Sequence, residues 1–441
     1  MRAFRPLIFF LTASFIVSSS AFQQAVEAQK DIRNITSRYG FEVYRKPYIN
    51  FNYWYGKGYQ GTQPAFVVSF EIQNDYLTFV RENDVYISEY QVTVSVRREE
   101  EESSEFGKSW RLTTRLNNFD DTNAHDQYQY YSFDLEPYTE SGVAELLPGR
   151  YDVVFEFSDH RSSRIYTSMR RFEIIPDGPA EAIVFLKATA PADSSVFPLS
   201  ATRAILDFDT PYRAYTRIFA DSSGQHVANY RLFKKHNDEK KLVHQHYDTL
   251  SSERGMLGLN YNLPYEKMDE GDYTLRMVAE GPDENEQVVE RDFSVVWFEK
   301  PIYLYKVDLA VRPMKYLLSA DELERVKELD LEQLSEWFDA YWKERDKNPE
   351  TAYNELKHEY YRRVTHTLRH YSTRFKEGWE TDRGMVYILY GEPQRKDEQR
   401  YLSDKPPFEV WYYPERETSF VFVDENRNGE YILQKEKGTN P

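Results

Sequence analysis

Leu147-Pro148-Gly149-Arg150-Tyr151-Asp152-Val153 and Met268-Asp269-Glu270-Gly271-Asp272-Tyr273-Thr274-Leu275 follow one plan. In each, a Gly-x-Tyr turn opens into a strand of alternating apolar and polar residues. A polar break follows, then a closing strand: Arg171-Phe172-Glu173-Ile174 in the first copy and Asp292-Phe293-Ser294-Val295 in the second. Tyr151 to Phe172 spans 21 positions, and Tyr273 to Phe293 spans 20. A repeated turn with a hairpin partner at a repeated distance predicts two copies of one sheet topology.

The flanking sequence extends the pattern. Ala65–Ile72, Val85–Val96 and Tyr151–Phe157 alternate with period two, and no long amphipathic helix interrupts them. Glu99–Glu102 marks an exposed loop between two of these strands. The fold class expected is multidomain and mainly β: tandem immunoglobulin-like β-sandwiches over residues 38–176 and 180–298, followed by an α+β domain over 301–437. Pro176-Asp177-Gly178-Pro179 and the region of Lys300-Pro301 read as linkers. Beyond them the period changes. Ser319-Ala320-Asp321-Glu322 forms a capping box, and Asp330 opens a second helix with Leu334, Trp337, Phe338, Tyr341 and Trp342 on one face. A long helix is predicted from about Ala352 to Phe375, burying Tyr353, Leu356, Tyr360, Val364, Leu368, Tyr371 and Phe375. Strands Met385–Tyr390, Phe408–Tyr413, Ser419–Val423 and Tyr431–Gln434 then make a small antiparallel sheet.

Between the long helix and that sheet stands Gly378-Trp379-Glu380-Thr381-Asp382-Arg383-Gly384, running into Met385–Pro393. The stretch resembles the signature of the bacterial GWxTD-domain family. The likeness extends in order to Trp342-Lys343-Glu344-Arg345-Asp346, Asn354-Glu355, Glu359–Val364, Phe408–Tyr413 and Phe420–Asp424, over about the last third of the chain. It names a domain and implies no activity. Physically, Gly378 and Gly384 should supply backbone angles that other residues resist. Trp379 should pack on the helix bearing Tyr371 and Phe375, while Asp382 and Arg383 satisfy each other or nearby backbone. Arg345, Asp346, Glu355 and Glu359 are expected to join them in one polar network that locks helix to sheet, in preference to an active site.

Composition limits what the chain can do. It has 441 residues, 40% of them hydrophobic and 16% aromatic, enough for several packed cores and weighted toward β structure. There is no cysteine, which excludes disulfides and thiolate chemistry. With 73 acidic against 56 basic residues the net charge is −17, which disfavours nucleic acid and anionic membrane surfaces as partners. Arg2 and Arg5, the apolar run Pro6–Val17 and a small-residue exit read as a signal peptide within residues 1–28, cleaved after Ala21 or Ala28. That leaves no membrane span after cleavage and places the protein in the periplasm or outside the cell.

Several other patterns carry a chemical reading beside a plainer one. Tyr53, Trp54, Tyr55 and Tyr59, interleaved with glycines, match a ligand platform, or alternatively seal the edge of the first sandwich. His244, His246 and Asp248 share one side of a strand and match metal ligands, or a wet strand face. Asp424, Asn426 and Asn428 match the start of a calcium loop, but Lys435 stands where its final Glu belongs; Asn428-Gly429 is independently a hairpin turn. His366 and His370 lie one helical turn apart on a charged face. The plainer reading is adopted in each case, so no metal and no cofactor is expected. No nucleophile elbow, His-Glu-x-x-His or phosphate loop is present. The function expected is therefore that of an exported, non-enzymatic binding or scaffolding protein with an envelope or periplasmic protein partner. A carbohydrate- or peptide-binding module built on residues 48–59 is the second reading, and an enzyme with a site at Asp382/Arg383 the third.

Overall fold

The computed structural model describes residues 46–57, 64–99, 106–124, 127–135, 138–139, 142–143, 146–174, 183–188, 198–208, 210–220, 222–236, 239–298, 300–399 and 406–438. The signal peptide, the Pro176–Pro179 linker and Tyr59 lie outside them, as does all of the Glu99–Glu102 loop except Glu99.

The first two-sheet unit contains β1 (Ile49–Lys57), β2 (Pro64–Gln73), β3 (Val80–Glu82), β4 (Val85–Arg98), β5 (Phe106–Leu116), β6 (Tyr128–Asp134), the short pair β7 (Tyr138–Thr139) and β8 (Gly142–Val143), β9 (Gly149–Asp159) and β10 (Arg164–Ile174). One sheet has the order β1-β2-β6 and the other β10-β9-β4-β3, with β5 also paired to β4. Phe51, Phe66, Val68 and Phe70 from the first sheet meet Val92, Val94, Val153 and Phe155 from the second in one core.

The second unit repeats this arrangement. It contains β11 (Val184–Lys187), β12 (Ile205–Asp207), β13 (Tyr212–Ala220), β14 (Gly224–His236), β15 (Glu239–Ser252), β16 (Gly255–Asn262), β17 (Gly271–Glu280) and β18 (Glu286–Val296). Its sheets run β11-β13-β16 and β12-β18-β17-β14-β15. Thus β14, β15, β17 and β18 stand where β4, β5, β9 and β10 stand in the first unit. The turns noticed in the sequence occupy equivalent places. Tyr151 is the register partner of Phe172, their rings stacked 5.4 Å apart; Tyr273 is the register partner of Phe293 at 5.6 Å. Each hydroxyl donates to a carbonyl four residues back, Tyr151 to Leu147 at 2.7 Å and Tyr273 to Asp269 at 2.9 Å. Gly149 (φ 149°) and Gly271 (φ 143°) make the bends that bring those carbonyls within reach.

The units are packed against each other. Alternation along β1 sends Phe51, Tyr53 and Tyr55 into the first core and Trp54 to the opposite face. There Trp54 is buried with Val67, Leu186, Leu199 and Tyr215, under the Arg217 guanidinium 5.1 Å from its ring. Asn52 Nδ2 donates to the Ser200 carbonyl at 2.9 Å, and the buried Glu71 pairs with Lys46 at 2.9 Å and Lys187 at 3.3 Å.

In the C-terminal domain, Ile302–Tyr305 forms a 3-10 turn, followed by α1 (Val307–Val311), α2 (Ala320–Lys327), α3 (Leu331–Glu344), α4 (Glu355–His370) and α5 (Asp382–Tyr390). The sheet β19-β20-β21-β22 comes last: β19 (Arg395–Gln399), β20 (Phe408–Tyr413), β21 (Thr418–Val423) and β22 (Ile432–Gly438). Both predicted caps form: Ser319 and Glu322 exchange hydrogen bonds at α2, as do Asp330 and Gln333 at α3.

Three expectations are corrected. Met385–Tyr390 is helix, not strand: Thr381 caps α5 by accepting from Gly384 N–H at 3.1 Å. The apolar run lacks a visible helical period because α5 lies between two cores, with Ile388 in the helical one and Val386 and Tyr387 in the sheet one. The long helix is shorter than predicted, since Asn354 caps it by accepting from Lys357 N–H at 2.8 Å and it ends before Tyr371. Leu356 is consequently half exposed and Phe375 is 85% exposed, while Tyr361 and Thr367 are buried instead. Lys300-Pro301 is no loose linker, because Lys300 pairs with Glu270 at 2.6 Å and Tyr303 is fully buried.

Trp54 offers a test of the seam between the first two units. Trp54→Ala should cost about 3–5 kcal/mol as a truncation of a buried ring. Urea denaturation should show a lowered midpoint and separation of the two units' transitions.

Candidate functional site

The signature is built on two backbone contacts. A β-carbon at Gly378 would stand 1.7 Å from the Thr367 carbonyl oxygen of α4, and one at Gly384 would stand 1.8 Å from the carbonyl oxygen of Gly378. Neither glycine has a positive φ. The expectation of unusual backbone angles is therefore corrected: both glycines serve close approach. Thr381 joins the same knot, its hydroxyl donating to Gly378 O at 2.7 Å. Ser372 Oγ accepts from Gly378 N–H at 2.8 Å.

Trp379 is buried in the helical core, and its indole N–H donates to Tyr303 Oη at 2.6 Å and to Glu377 Oε2 at 2.9 Å. Lys315 and Arg312 lie over its ring at 4.7 and 5.5 Å. It shares that core with Tyr360, Tyr361 and Val364 of α4, as expected of packing on the long helix, but not with Phe375, which is exposed, or Tyr371, which belongs to the sheet cluster.

Asp382 Oδ2 accepts from Leu433 N–H of β22 at 2.8 Å. Arg383 donates from Nη1 to Glu409 at 3.1 Å and from Nη2 to Gly429 O at 3.3 Å. Its guanidinium lies 5.2 Å from the Tyr371 ring and 4.1 Å from Tyr431. Glu409 is 1% exposed and is compensated on three sides, by Arg383, by Lys396 at 3.3 Å and by the Trp411 indole N–H at 3.0 Å. Asp382 and Arg383 are thus turned toward the last hairpin and not toward each other. Glu409 and Tyr303 were not singled out from the sequence. The signal for Glu409 was its parity: in Phe408-Glu409-Val410-Trp411-Tyr412-Tyr413 it shares the buried face with Trp411 and Tyr413.

The remaining candidates stay apart from this knot. Arg345 pairs with Glu344 at 2.9 Å beyond α3, and Asp346 accepts from Asn348 N–H at 3.0 Å. Glu355 is exposed at the start of α4. Glu359 holds Arg362 and Arg363, and Arg363 donates to the Ile388 carbonyl at the end of α5, at 3.0 Å. Among the described residues no three His, Asp or Glu side chains are grouped to hold a metal ion. His244 bonds Tyr261 at 2.7 Å and His246 bonds Asp248 at 3.0 Å. Asp424 accepts from Asn428 and Gly429 N–H at 3.0 and 2.8 Å, so its carboxylate closes the β21–β22 turn; Asn428 accepts from Glu430 N–H, and Asn426 lies in the same turn. Tyr53 and Tyr55 face the first core and Trp54 the seam, so these three form no open platform.

His366 stacks on Tyr387, ring centroids 4.1 Å apart, with His370 at 4.2 Å. Burial, helped by His370 and two arginines, lowers its pKa to about 3 from 6.5. An unfolded chain therefore takes up this proton first as pH falls, so the stabilising contribution is whole above pH 6.5 and lost progressively toward pH 3. His358 and His370 are lowered in the same direction, each first by burial.

Two outcomes follow from this geometry. Gly378→Ala or Gly384→Ala should leave the C-terminal domain unable to reach its native melting transition, since each β-carbon meets backbone that cannot move aside; calorimetry of the variants checks this. The melting temperature should fall between pH 7 and 5, above the range where carboxylates titrate. His366→Gln should flatten that slope, as measured by thermal melts across the interval.

A family model described as the GWxTD domain matches residues 285–440. It begins one residue before β18, inside the second two-sheet unit. No curated protein sequence matches the chain. Among solved structures, red sea bream transglutaminase aligns at 11% identity over 61% of this chain and 34% of its own, with a TM-score of 0.20. A β-glucosidase from Listeria innocua in complex with gluconolactone aligns at 13% identity over 27% of this chain and 16% of its own, with a TM-score of 0.16. The chain thus spans about a third of the transglutaminase and about a sixth of the glucosidase. Likeness this low carries no argument about fold or chemistry. The family match covers the stretch that holds the glycine contacts and the Asp382 and Arg383 bonds, and it makes this chain a GWxTD domain-containing protein.

Proposed function

We propose that the chain is an exported, non-enzymatic binding or scaffolding protein of the bacterial periplasm or cell envelope, acting through a protein partner. The observation that carries this reading is the signature itself: the side chains of Trp379, Thr381, Asp382 and Arg383 are all engaged in holding α4, α5 and the last hairpin together. A catalytic group must instead meet substrate, whereas each of these side chains is committed to a partner within the domain. We read the two-sheet units as immunoglobulin-like sandwiches, on their matching strand orders and on Tyr151 and Tyr273, each bonded four residues back at the start of its strand. By analogy of fold alone, such modules serve as recognition scaffolds. Export rests on the N-terminal sequence. Among the described residues no helix is long and apolar enough to cross a membrane. The inward placement of Tyr53 and Tyr55 leaves the carbohydrate- or peptide-platform reading without support.

Asp382→Ala should lower stability by about 1–3 kcal/mol, because it strands the Leu433 amide. Melting like wild type would move the enzyme reading ahead. Protein recovered from the producing cell should lack at least residues 1–21 by N-terminal sequencing, and an intact Met1 in the cytoplasmic fraction would exclude export. Cross-linking in the intact envelope should join the chain to one reproducible protein.

A further inference from the structure

A cleft of about 330 Å³ lies where the second two-sheet unit meets the C-terminal domain. Phe208, Trp297 and Lys300 line one side, and Phe338, Asp339 and Lys357 the other. The two bodies are fixed around it. Ala352 N–H donates to the Glu266 carbonyl at 2.9 Å, and Tyr353 contacts both Phe208 and Trp297, at ring-centroid distances of 5.7 and 6.3 Å.

The charges of this cleft are not evenly matched. Lys300 is paired with Glu270 at 2.6 Å, and Asp269 with Lys234 at 2.6 Å. Lys357 differs. Its ammonium makes no hydrogen bond or ion pair among the described residues, and it lies 6.0 Å from the Phe338 ring. Burial lowers the Lys357 pKa, with Asp339 opposing the shift. A partly desolvated ammonium without a partner is a net cost to the fold, and a bound anion would offset it.

We propose that this cleft binds a ligand with a single carboxylate on an apolar body, the carboxylate meeting Lys357 Nζ and the body lying against Trp297. One unpaired ammonium matches one negative charge. A phosphate dianion would face Asp269, Glu270 and Asp339 with too little compensation. Trp297, half-buried at the edge of the cleft, offers a ring face for the apolar body. The free C-terminus of a peptide ending in an apolar residue has this chemistry, and so does a small aryl or alkyl acid. The inference stands apart from the scaffolding reading: it concerns a small-ligand cleft, and either can fail alone.

Calorimetric titration of the full mature protein at pH 7 tests it, using acetyl-Gly-Leu-Phe with a free C-terminus, the same peptide as its C-terminal amide, 3-phenylpropionate and inorganic phosphate. Saturable binding of the free-terminus peptide or of phenylpropionate is expected, with the amide at least about tenfold weaker than the acid. Tighter binding of the peptide identifies a chain terminus as the source, and equal or tighter binding of phenylpropionate identifies a small acid. Lys357→Met should weaken binding at least about tenfold while melting no lower than wild type, because it removes an unpaired charge. Lys357→Arg should keep binding within a few-fold of wild type, and Asp339→Asn should tighten it. No saturation by either acid up to about 10 mM would overturn the proposal. So would phosphate binding as tightly as the acids, unchanged binding by Lys357→Met, or a clear drop in its melting temperature, which would make the lysine structural.

Discussion

The backbone at Gly378 lies against the Thr367 carbonyl with no room for a β-carbon, and Gly384 repeats the contact against Gly378 itself. Everything distinctive about the C-terminal domain depends on this double approach. It sets the start of α5 against the last turn of α4, so Thr381 is placed to cap one helix while bonding the turn that docks on the other. With α5 fixed, Asp382 reaches the backbone of β22, and Arg383 reaches Glu409 of β20 and the turn before β22. Trp379, held between them, ties the Ile302–Tyr305 segment into the same body through Tyr303. A two-residue steric requirement therefore organises helices, sheet and entry segment together.

The aromatic content has a comparable structural use. Stacked tyrosine–phenylalanine pairs sit at matching places in both two-sheet units, and a second set of rings welds the units to their neighbours. Without cysteine, the chain relies on such contacts where a disulfide would otherwise cross-link sheets. Buried charges follow the same economy of pairing. Glu71 and Glu409 are each about 1% exposed and each is met by two cationic side chains.

How much of this was legible in the sequence depends on whether the signal was local. The Gly-x-Tyr turns, their hairpin partners, the capping box at Ser319 and the helix start at Asp330 are set by neighbours within a few residues or by one strand's alternation, and they were read correctly. Met385–Tyr390 was misread because its burial comes from two separate cores, which erases the one-sided period by which a helix is recognised. Trp54 and Glu71 sit on the outer face of a sheet by parity, and their burial depends on a second unit that no local pattern announces. The glycines of the signature were noticed, but their reason was not: close approach involves Thr367, eleven positions before Gly378, and becomes visible when α4 and the turn are seen together. The polar network expected around Arg345, Asp346 and Glu355 was a sum of charges without geometry, whereas the observed one uses Glu409 and backbone groups.

The family match opens at residue 285, just ahead of β18, whose two neighbours β17 and β12 both lie upstream of that point. A segment cut at that boundary would carry an eleven-residue ribbon stripped of both partners, its amides and carbonyls open to any passing strand. The matched stretch and the paired sheet thus have different borders here. A gene fragment encoding residues 285–440 could be transplanted intact only into a chain that already offers a sheet with a vacant berth for that ribbon.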